Sequence, residues 1–306
     1  MGAAALRGRG HAERAHTVSR QIPLTVLAWE GPQARAYLAR MKRAGLTPER
    51  IILMIKDPRS GPLAKVTGRG LAKAEKAQER AHNFHPHRTR AGNRALMAAI
   101  TDGLAGQIDD PAGLISEMFD SFSYDDFGAP VERVAVSGYR DPALREAIAA
   151  SGAQLLLFTG GGIMPAEILE LPGLRVIHVH TGFLPDVRGA DVLLWSLMVR
   201  GRPGVSAFLM TPRLDDGDLL GATELPALEI PLTAADRPDD DTLYRSLFSF
   251  IDPLIRAEFV VSQVFEPASD FAALPSTPQD LNVGVTFHFM APQLRSAALA
   301  QLFPAA

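Results

Sequence analysis

From Ile22 onward, short unbroken apolar runs alternate with segments whose apolar positions recur every three or four residues. "IPLTVLAWEG" predicts a buried strand, and "PQARAYLARMKRAG" a helix with Ala36, Leu38, Met41 and Leu46 as its apolar positions. "ERIILMIKD" predicts a second strand, closed by Pro58 and Gly61. A strand, a helix and a strand within about forty residues form a βαβ unit and imply a parallel pair. The rhythm returns later in the chain. "PVERVAVSGY" predicts a strand and "DPALREAIAASG" a helix, with Asp141 as N-cap ahead of Pro142 at the first helical position. "AQLLLFTGG" and "GLRVIHVH" predict further buried strands, "GADVLLWSLMVRG" a helix ending at Gly201, "GVSAFLMT" a strand, and "RLDDGDLLG" the turn after it. Continuous apolar strands alternating with helices predict an α/β fold, a doubly wound, mainly parallel sheet covered on both faces.

Two stretches break the pattern. Residues 1–20 carry charge and alanine with little to bury, which predicts a flexible N-terminal arm ahead of a catalytic domain over 21–221. Residues 63–106 form a basic insertion containing Lys65, Arg69, Lys73, Lys76, Arg80, Arg88, Arg90 and Arg94, with "HNFHPHRTR" inside it. A solvated helix and loop, a seat for an anionic substrate, and a metal site are the three readings. His85 and His87 flank Pro86, which predicts that they do not share a helical turn, and no metal is expected there. Residues 222–306 form a smaller C-terminal segment, with an amphipathic helix over "DDTLYRSLFSFIDPLIRAEF".

Composition narrows the function classes. The 306 residues are 47% hydrophobic and 21% charged, enough for a full core, and the formal net charge of −3 gives no global pull toward nucleic acid or an acidic membrane. No apolar run approaches the ~20 residues that cross a bilayer, and the Arg/His-rich start lacks a secretory apolar region, so a cytoplasmic protein is expected. The absence of cysteine removes disulfides, thiolate nucleophiles and cysteine zinc sites.

Ligands of open α/β sheets bind beyond the carboxyl ends of the strands. Three segments fall there: "TGGGIMP", "HVHTGFLPDVRG" and "RLDDGDLL". Alternation along a strand puts His178 and His180 on one face, roughly 6–7 Å apart at Cα. Asp215 and Asp216 follow a different strand and can reach the same crevice. Two imidazoles and a carboxylate there can polarise a carbonyl and move protons near neutral pH. Each feature taken alone also suits an ordinary strand end or turn.

In combination, "FTGGGIMPAEIL", "HVH", "FLPDVRGAD", "GVSAFLM" and "LDDGDLL" resemble, in order and spacing, the core of the folate-dependent formyltransferases. The resemblance is most specific over Leu155–Leu220. It implies acyl transfer, with 10-formyltetrahydrofolate as donor and no metal. His180 matches the family's catalytic histidine and Asp215 its catalytic aspartate, whereas His178 stands where the family has asparagine. A histidine there is expected to donate one N–H to the oxyanion and to titrate near pH ~6.5. Gly160, Gly161, Gly162, Ile163, Met164 and Pro165, with Leu214 before Asp215, are expected to bind the pterin. Leu184, Pro185, Arg188 and Gly189 are expected to shape the loop beneath the site, with Arg188 equally readable as a structural hydrogen-bond hub.

The acceptor is expected to be a small-molecule amine, such as an amino sugar or an amino-acid derivative. "AWEGPQARAYL" lacks a glycine-rich phosphate loop after the first strand, and residues 222–306 are acidic, which argues against nucleic acid. "PQDLNVGVTFHF", with His288, resembles the segment that builds the acceptor side. No membrane contact is expected, and a homodimer is compatible with the sequence. Rival readings are a hydrolase on the same fold, an altered acyl or carbamoyl-type transfer, and a non-catalytic folate-binding or interaction protein.

Overall fold

The computed structural model describes residues 19–57 and 69–306. Most of the expected N-terminal arm and Lys65 of the basic insertion lie outside the described residues. The elements run β1 (Arg20–Trp29), α1 (Pro32–Arg43), β2 (Leu46–Lys56), α2 (Arg69–Gly92), α3 (Arg94–Leu104), α4 (Pro111–Phe119), β3 (Val131–Val136) and α5 (Pro142–Ser151). There follow β4 (Leu155–Phe158), α6 (Ala166–Leu169), β5 (Arg175–His180), β6 (Val187–Gly189), α7 (Val192–Arg200), β7 (Gly204–Leu209) and β8 (Leu219–Glu224). The chain ends with α8 (Asp240–Ser246), α9 (Asp252–Val260), β9 (Val285–Phe287) and α10 (Pro292–Leu302).

Seven strands form one sheet in the order β3-β2-β1-β4-β5-β7-β8. The pairs from β3 through β5 are parallel, while β7 and β8 join antiparallel. The order reverses between β1 and β4, which makes their carboxyl ends the switch point where such sheets bind ligands.

Alternation decides what each face buries. Val26, Ala28, Leu53, Leu157, Ile177 and Val179 join a core with Tyr37 of α1 and Phe259 of α9. Leu27, Ile52, Met54, Leu156, Phe158 and Val176 join a second core with Leu144 and Ile148 of α5. Each large apolar side chain so buried is worth about 1.5–3 kcal/mol before entropy is counted. Asp141 caps α5 by accepting the Ala143 N–H at 3.0 Å, as the sequence predicts.

Four features depart from the sequence reading. The first is Pro86, which lies inside α2, so His85 and His87 do share one helix. Pro86 is buried there, and packing outweighs the lost N–H. Second, the turn after β7 is present but shorter than read, and strand β8 begins within that segment at Leu219. Third, the insertion carries a further helix, α3, and α4 follows it. Fourth, near the C-terminus β9 pairs in parallel with β6, matching Val187 to Val285 and Gly189 to Phe287. Three-residue strands carry too little alternation to be read in advance.

Candidate active site

β5 ends at His180, 3% exposed, and the loop after it turns back beneath the imidazole. Nε2 lies 3.0 Å from the Val187 carbonyl oxygen. A carbonyl only accepts, so Nε2 carries the proton and Nδ1 the lone pair of the neutral ring. Gly182 makes this seat possible, because a Cβ there would fall 2.5 Å from the Val187 oxygen and 2.8 Å from His180 Nε2. Ser206, opposite His180 in the β5–β7 register, bridges the loop: it accepts the Leu184 N–H at 2.9 Å and donates to the Gly182 carbonyl at 2.8 Å.

Asp215 comes from the turn after β7. Its backbone is left-handed, φ 51°, a conformation aspartate tolerates better than most residues. Its Oδ2 accepts the Gly189 N–H at 2.9 Å and stands 3.9 Å from His180 Nδ1. Burial holds the His180 imidazole below its ordinary pKa, against the pull of the Asp215 carboxylate. The ring is therefore a neutral acceptor at Nδ1, with a carboxylate placed to stabilise the imidazolium once a proton arrives.

A buried ion pair supports the end of β5. Arg256 of α9 donates to Asp252 Oδ2 at 2.7 Å and to the Val179 carbonyl, and Thr181 donates to Asp252 Oδ1 at 2.5 Å. The Asp–Arg pair four residues apart within the predicted amphipathic helix was its signal in the sequence.

His178 sits one strand pair closer to the second core, tilted against Phe158 with ring centroids 5.6 Å apart and edge-on to Phe208 at 5.8 Å. Its Nδ1 is buried without a hydrogen-bond partner. Burial between these rings, with Arg256 adding to it, lowers its pKa to about 3. The expected titration near neutrality is corrected: His178 is neutral throughout the physiological range.

The remaining expected site residues lie on three segments, after β4, after β5 and after β7, and the second of these meets a C-terminal strap, residues 279–290, that contains β9. After β4, Gly160 admits Tyr139, whose Oη would lie 2.3 Å from an added Cβ. Gly161 faces open space and Gly162 has φ 92°. Ile163 is exposed at 68%, Met164 is buried, and Pro165 opens α6. Leu214, ahead of Asp215, is exposed at 48%. Ile163 and Leu214 are thus two large apolar side chains left in water, on the loops after β4 and after β7.

Leu184 is buried, and Gly284 packs against the Pro185 carbonyl, which an added Cβ would meet at 1.9 Å. Gly189, φ 103°, packs equally tightly against Phe287. Arg188 donates to the Val283 carbonyl at 2.8 Å, so it ties the loop to the C-terminal strap. Asp216 points away from His180, into Thr211 and Arg213.

Sequence reasoning missed what holds this strap. Gln279 donates to the carbonyls of Asp215 at 3.1 Å and Gly217 at 2.6 Å. Trp195 stacks on Phe287 and donates to the His288 carbonyl at 2.8 Å. Asp191 accepts from Tyr244 at 2.6 Å and from the Met290 N–H at 2.8 Å. None of these has a local motif.

No hydrogen bond or ion pair joins the described cations of the basic insertion to His178, His180 or Asp215. Lys73, Lys76, Arg80, Arg88 and Arg94 are exposed, and Arg90 pairs with Asp120 at 2.7 Å. His85 contacts Arg245 at 2.5 Å and His87 packs edge-on to Phe119. Among the described residues no three His, Asp or Glu side chains are grouped to hold a metal ion, and no helix is long and apolar enough to cross a membrane.

Comparison with known proteins places the chain in a family. The chain is 37% identical over 114 residues to a methionyl-tRNA formyltransferase of Phenylobacterium zucineum (strain HLK1), covering 36% of each chain. It is 37% identical over 92 residues to the methionyl-tRNA formyltransferase of Syntrophus aciditrophicus (strain SB), covering 29% of each. The matched part thus spans only about a third of the length of these relatives. A sugar N-formyltransferase structure from Shewanella sp FDAARGOS_354 aligns over 92% of this chain and 89% of its own, at 11% identity and a TM-score of 0.45. The sequence profile of the formyl transferase family matches residues 69–236, more than half of the chain, and the chain belongs to that family.

Proposed function

We propose that this protein is an enzyme that transfers a formyl group from 10-formyltetrahydrofolate to the amine of a small molecule. The observation that carries the reading is the buried His180, with its Nε2 proton on Val187 and its Nδ1 lone pair facing Asp215. When bound, the donor supplies a formyl carbon on N10. The loops at Gly160–Pro165 and Leu214 would hold its pterin, with Ile163 and Leu214 offering apolar contact.

The acceptor nitrogen attacks the formyl carbon, forming a new C–N bond and placing negative charge on the formyl oxygen. His180 Nδ1 removes the proton that the nitrogen must lose, and Asp215 stabilises the resulting imidazolium. The proton then passes to N10 as the C–N10 bond breaks, leaving the formamide and tetrahydrofolate. His178, neutral and fixed between Phe158 and Phe208, contributes at most one N–H to the oxygen, where an asparagine amide offers two donors.

A small acceptor is favoured over tRNA by the charges of residues 222–306. Of the four arginines there, Arg237, Arg245 and Arg256 are each paired with a carboxylate. Eleven Asp and Glu residues face those four arginines in this segment, which gives a phosphate backbone no basic track.

The test is incubation with 10-formyltetrahydrofolate and a panel of primary amines, following tetrahydrofolate, formate and N-formyl product together. Formamide formation that His180→Gln abolishes is expected. Formate release without formamide would replace transfer by hydrolysis.

A further inference from the structure

We propose that the aromatic cluster at the switch point, Trp29 with His82 and Tyr139, seats a flat uncharged ring of the acceptor where phosphate-binding relatives of this fold would hold an anion. The inference rests on the transfer reading above for the identity of its ligand as the acceptor.

Trp29 ends β1 and is partly exposed at the crevice. His82 of α2 packs edge-on to it, 6.0 Å between centroids at 81°, and Tyr139, after β3, does so from another side at 6.3 Å and 66°. The row continues toward the candidate catalytic residues: Tyr139 to Phe158 at 5.2 Å, then Phe158 to His178 at 5.6 Å. Ring packing therefore runs from the switch point, through the buried Phe158, to the strand that carries His180.

The row is held in place. The Trp29 N–H donates to Thr159 Oγ1 at 3.1 Å, and Thr159 donates to the Leu27 carbonyl at 3.1 Å, tying β1 to the end of β4. Gly160 lets the Tyr139 phenol lie across that end, since any side chain would strike it. Beside these rings the backbone at Gly138 and Gly161 has nothing within 4 Å of an added Cβ. Among the described residues, space is open on that side.

The same position is unfit for an anion. Glu30, the residue between β1 and the turn into α1, is buried, and its Oε1 accepts from Arg35 Nε and from Asn83 Nδ2, both at 2.7 Å. Arg35 is itself consumed, donating also to the Met118 carbonyl at 2.9 Å and to Glu79 at 3.0 Å. A carboxylate lies there, and the buried guanidinium beside it already spends three of its five N–H groups on Glu30, Met118 and Glu79. A phosphate would find the nearest buried guanidinium already paired with Glu30, whereas a flat ring needs no charge partner and gains edge and face contacts.

The chain has two tryptophans, so Trp195→Phe leaves Trp29 as the only indole reporter. In that background, Trp29 fluorescence is titrated with 2-phenylethylamine, n-hexylamine and O-phosphoethanolamine, without donor. Saturable change is expected with the aryl amine, with binding weaker by roughly three- to tenfold after Tyr139→Leu and retained after Tyr139→Phe, the worth of one aromatic pair. Equal binding of the alkyl amine, tighter binding of the phosphorylated amine, or indifference to Tyr139→Leu would overturn the proposal. Should Tyr139→Leu fail to fold, the order of the three amines on the Trp195→Phe protein decides alone. Aryl-amine binding without any formamide product would sink the transfer reading and leave the ring site standing. Formylation of amines with no aryl preference would do the reverse.

Discussion

At the scale of single residues, the candidate site separates a carboxylate that faces His180 from one that is paired elsewhere. Asp215 faces His180 Nδ1 at 3.9 Å, while Asp216 is spent on Arg213 and Thr211. Asp215→Asn is therefore expected to lower kcat by roughly 10²–10⁴, the range for a proton-transfer partner, with donor affinity kept. Asp216→Asn should leave kcat within several-fold and lower Tm instead; equal kcat losses at both would show that the wrong carboxylate has been assigned. His178 gives a second expectation, in stability rather than rate. Its folded pKa, about 3, lies below the unfolded value of ~6.5. The unfolded chain thus takes up a proton that the folded chain refuses. Stability from this group is complete above pH ~6.5 and falls as pH drops toward 3, at about 1.4 kcal/mol per pH unit for one proton. Urea unfolding of wild type and His178→Asn at pH 7 and pH 4.5 should show a shallower loss in the variant; parallel losses would mean that His178 protonates freely in the fold. For the same reason, the acid limb of the pH–rate profile should persist in His178→Asn, contrary to what a histidine titrating near neutrality would give.

At the scale of elements, the strap closes the site. β9 lies on β6, and Gln279 grips the carbonyls of Asp215 and Gly217, so the turn that carries Asp215 is positioned by residues more than sixty positions further along the chain. Gln279→Ala removes both bonds at a cost of about 1 kcal/mol each. Loss of kcat beyond the loss of stability is expected, because the left-handed Asp215 is then free to relax. Stopped assays and thermal melts on one preparation would separate the two, and an unchanged kcat with a lowered Tm would reduce Gln279 to a structural tie. The long apolar elements of this architecture were legible: "AQLLLFTGG", "GLRVIHVH" and "GVSAFLMT" are buried strands because both faces of the sheet are covered. The strap was not, since three-residue strands leave no periodic trace. Pro86 misled because a helix can bury a proline when its neighbours repay the missing bond. In the site, the positions of His180 and Asp215 were readable from motif order. Gly182, Ser206 and Asp191 were not, because what distinguishes them is a distance to a residue remote in sequence.

At the scale of the whole molecule, the question is whether residues 222–306 are an appendage to a self-sufficient core. Leu254, Ile255, Phe259 and Val260 of α9 are all buried in the same cluster as β1, β5, β7 and α1. Arg40 of α1 reaches across to Glu258 at 2.7 Å, and Arg256 with Asp252 supports the strand that presents His180. A chain ended at residue 221 would lose the helix that covers Tyr37 and would expose apolar surface worth about 1.5–3 kcal/mol for each large side chain. Against a typical net stability of about 5–15 kcal/mol, four such losses alone are enough to unfold a domain. The truncated protein is accordingly expected to show no cooperative urea transition, where the full chain shows one. A finer test keeps the chain intact. Asp252→Ala leaves a buried Arg256 uncompensated and should cost about 3–5 kcal/mol, whereas Asp252→Leu with Arg256→Met removes both charges and should recover much of that loss. If His180 depends on this pair for its placement, the double variant will fold yet show reduced turnover, because the hydrogen bonds to Val179 and Thr181 are gone. Full turnover in a stable double variant would show that β5 holds His180 unaided, and that residues 222–306 serve only to cover the core.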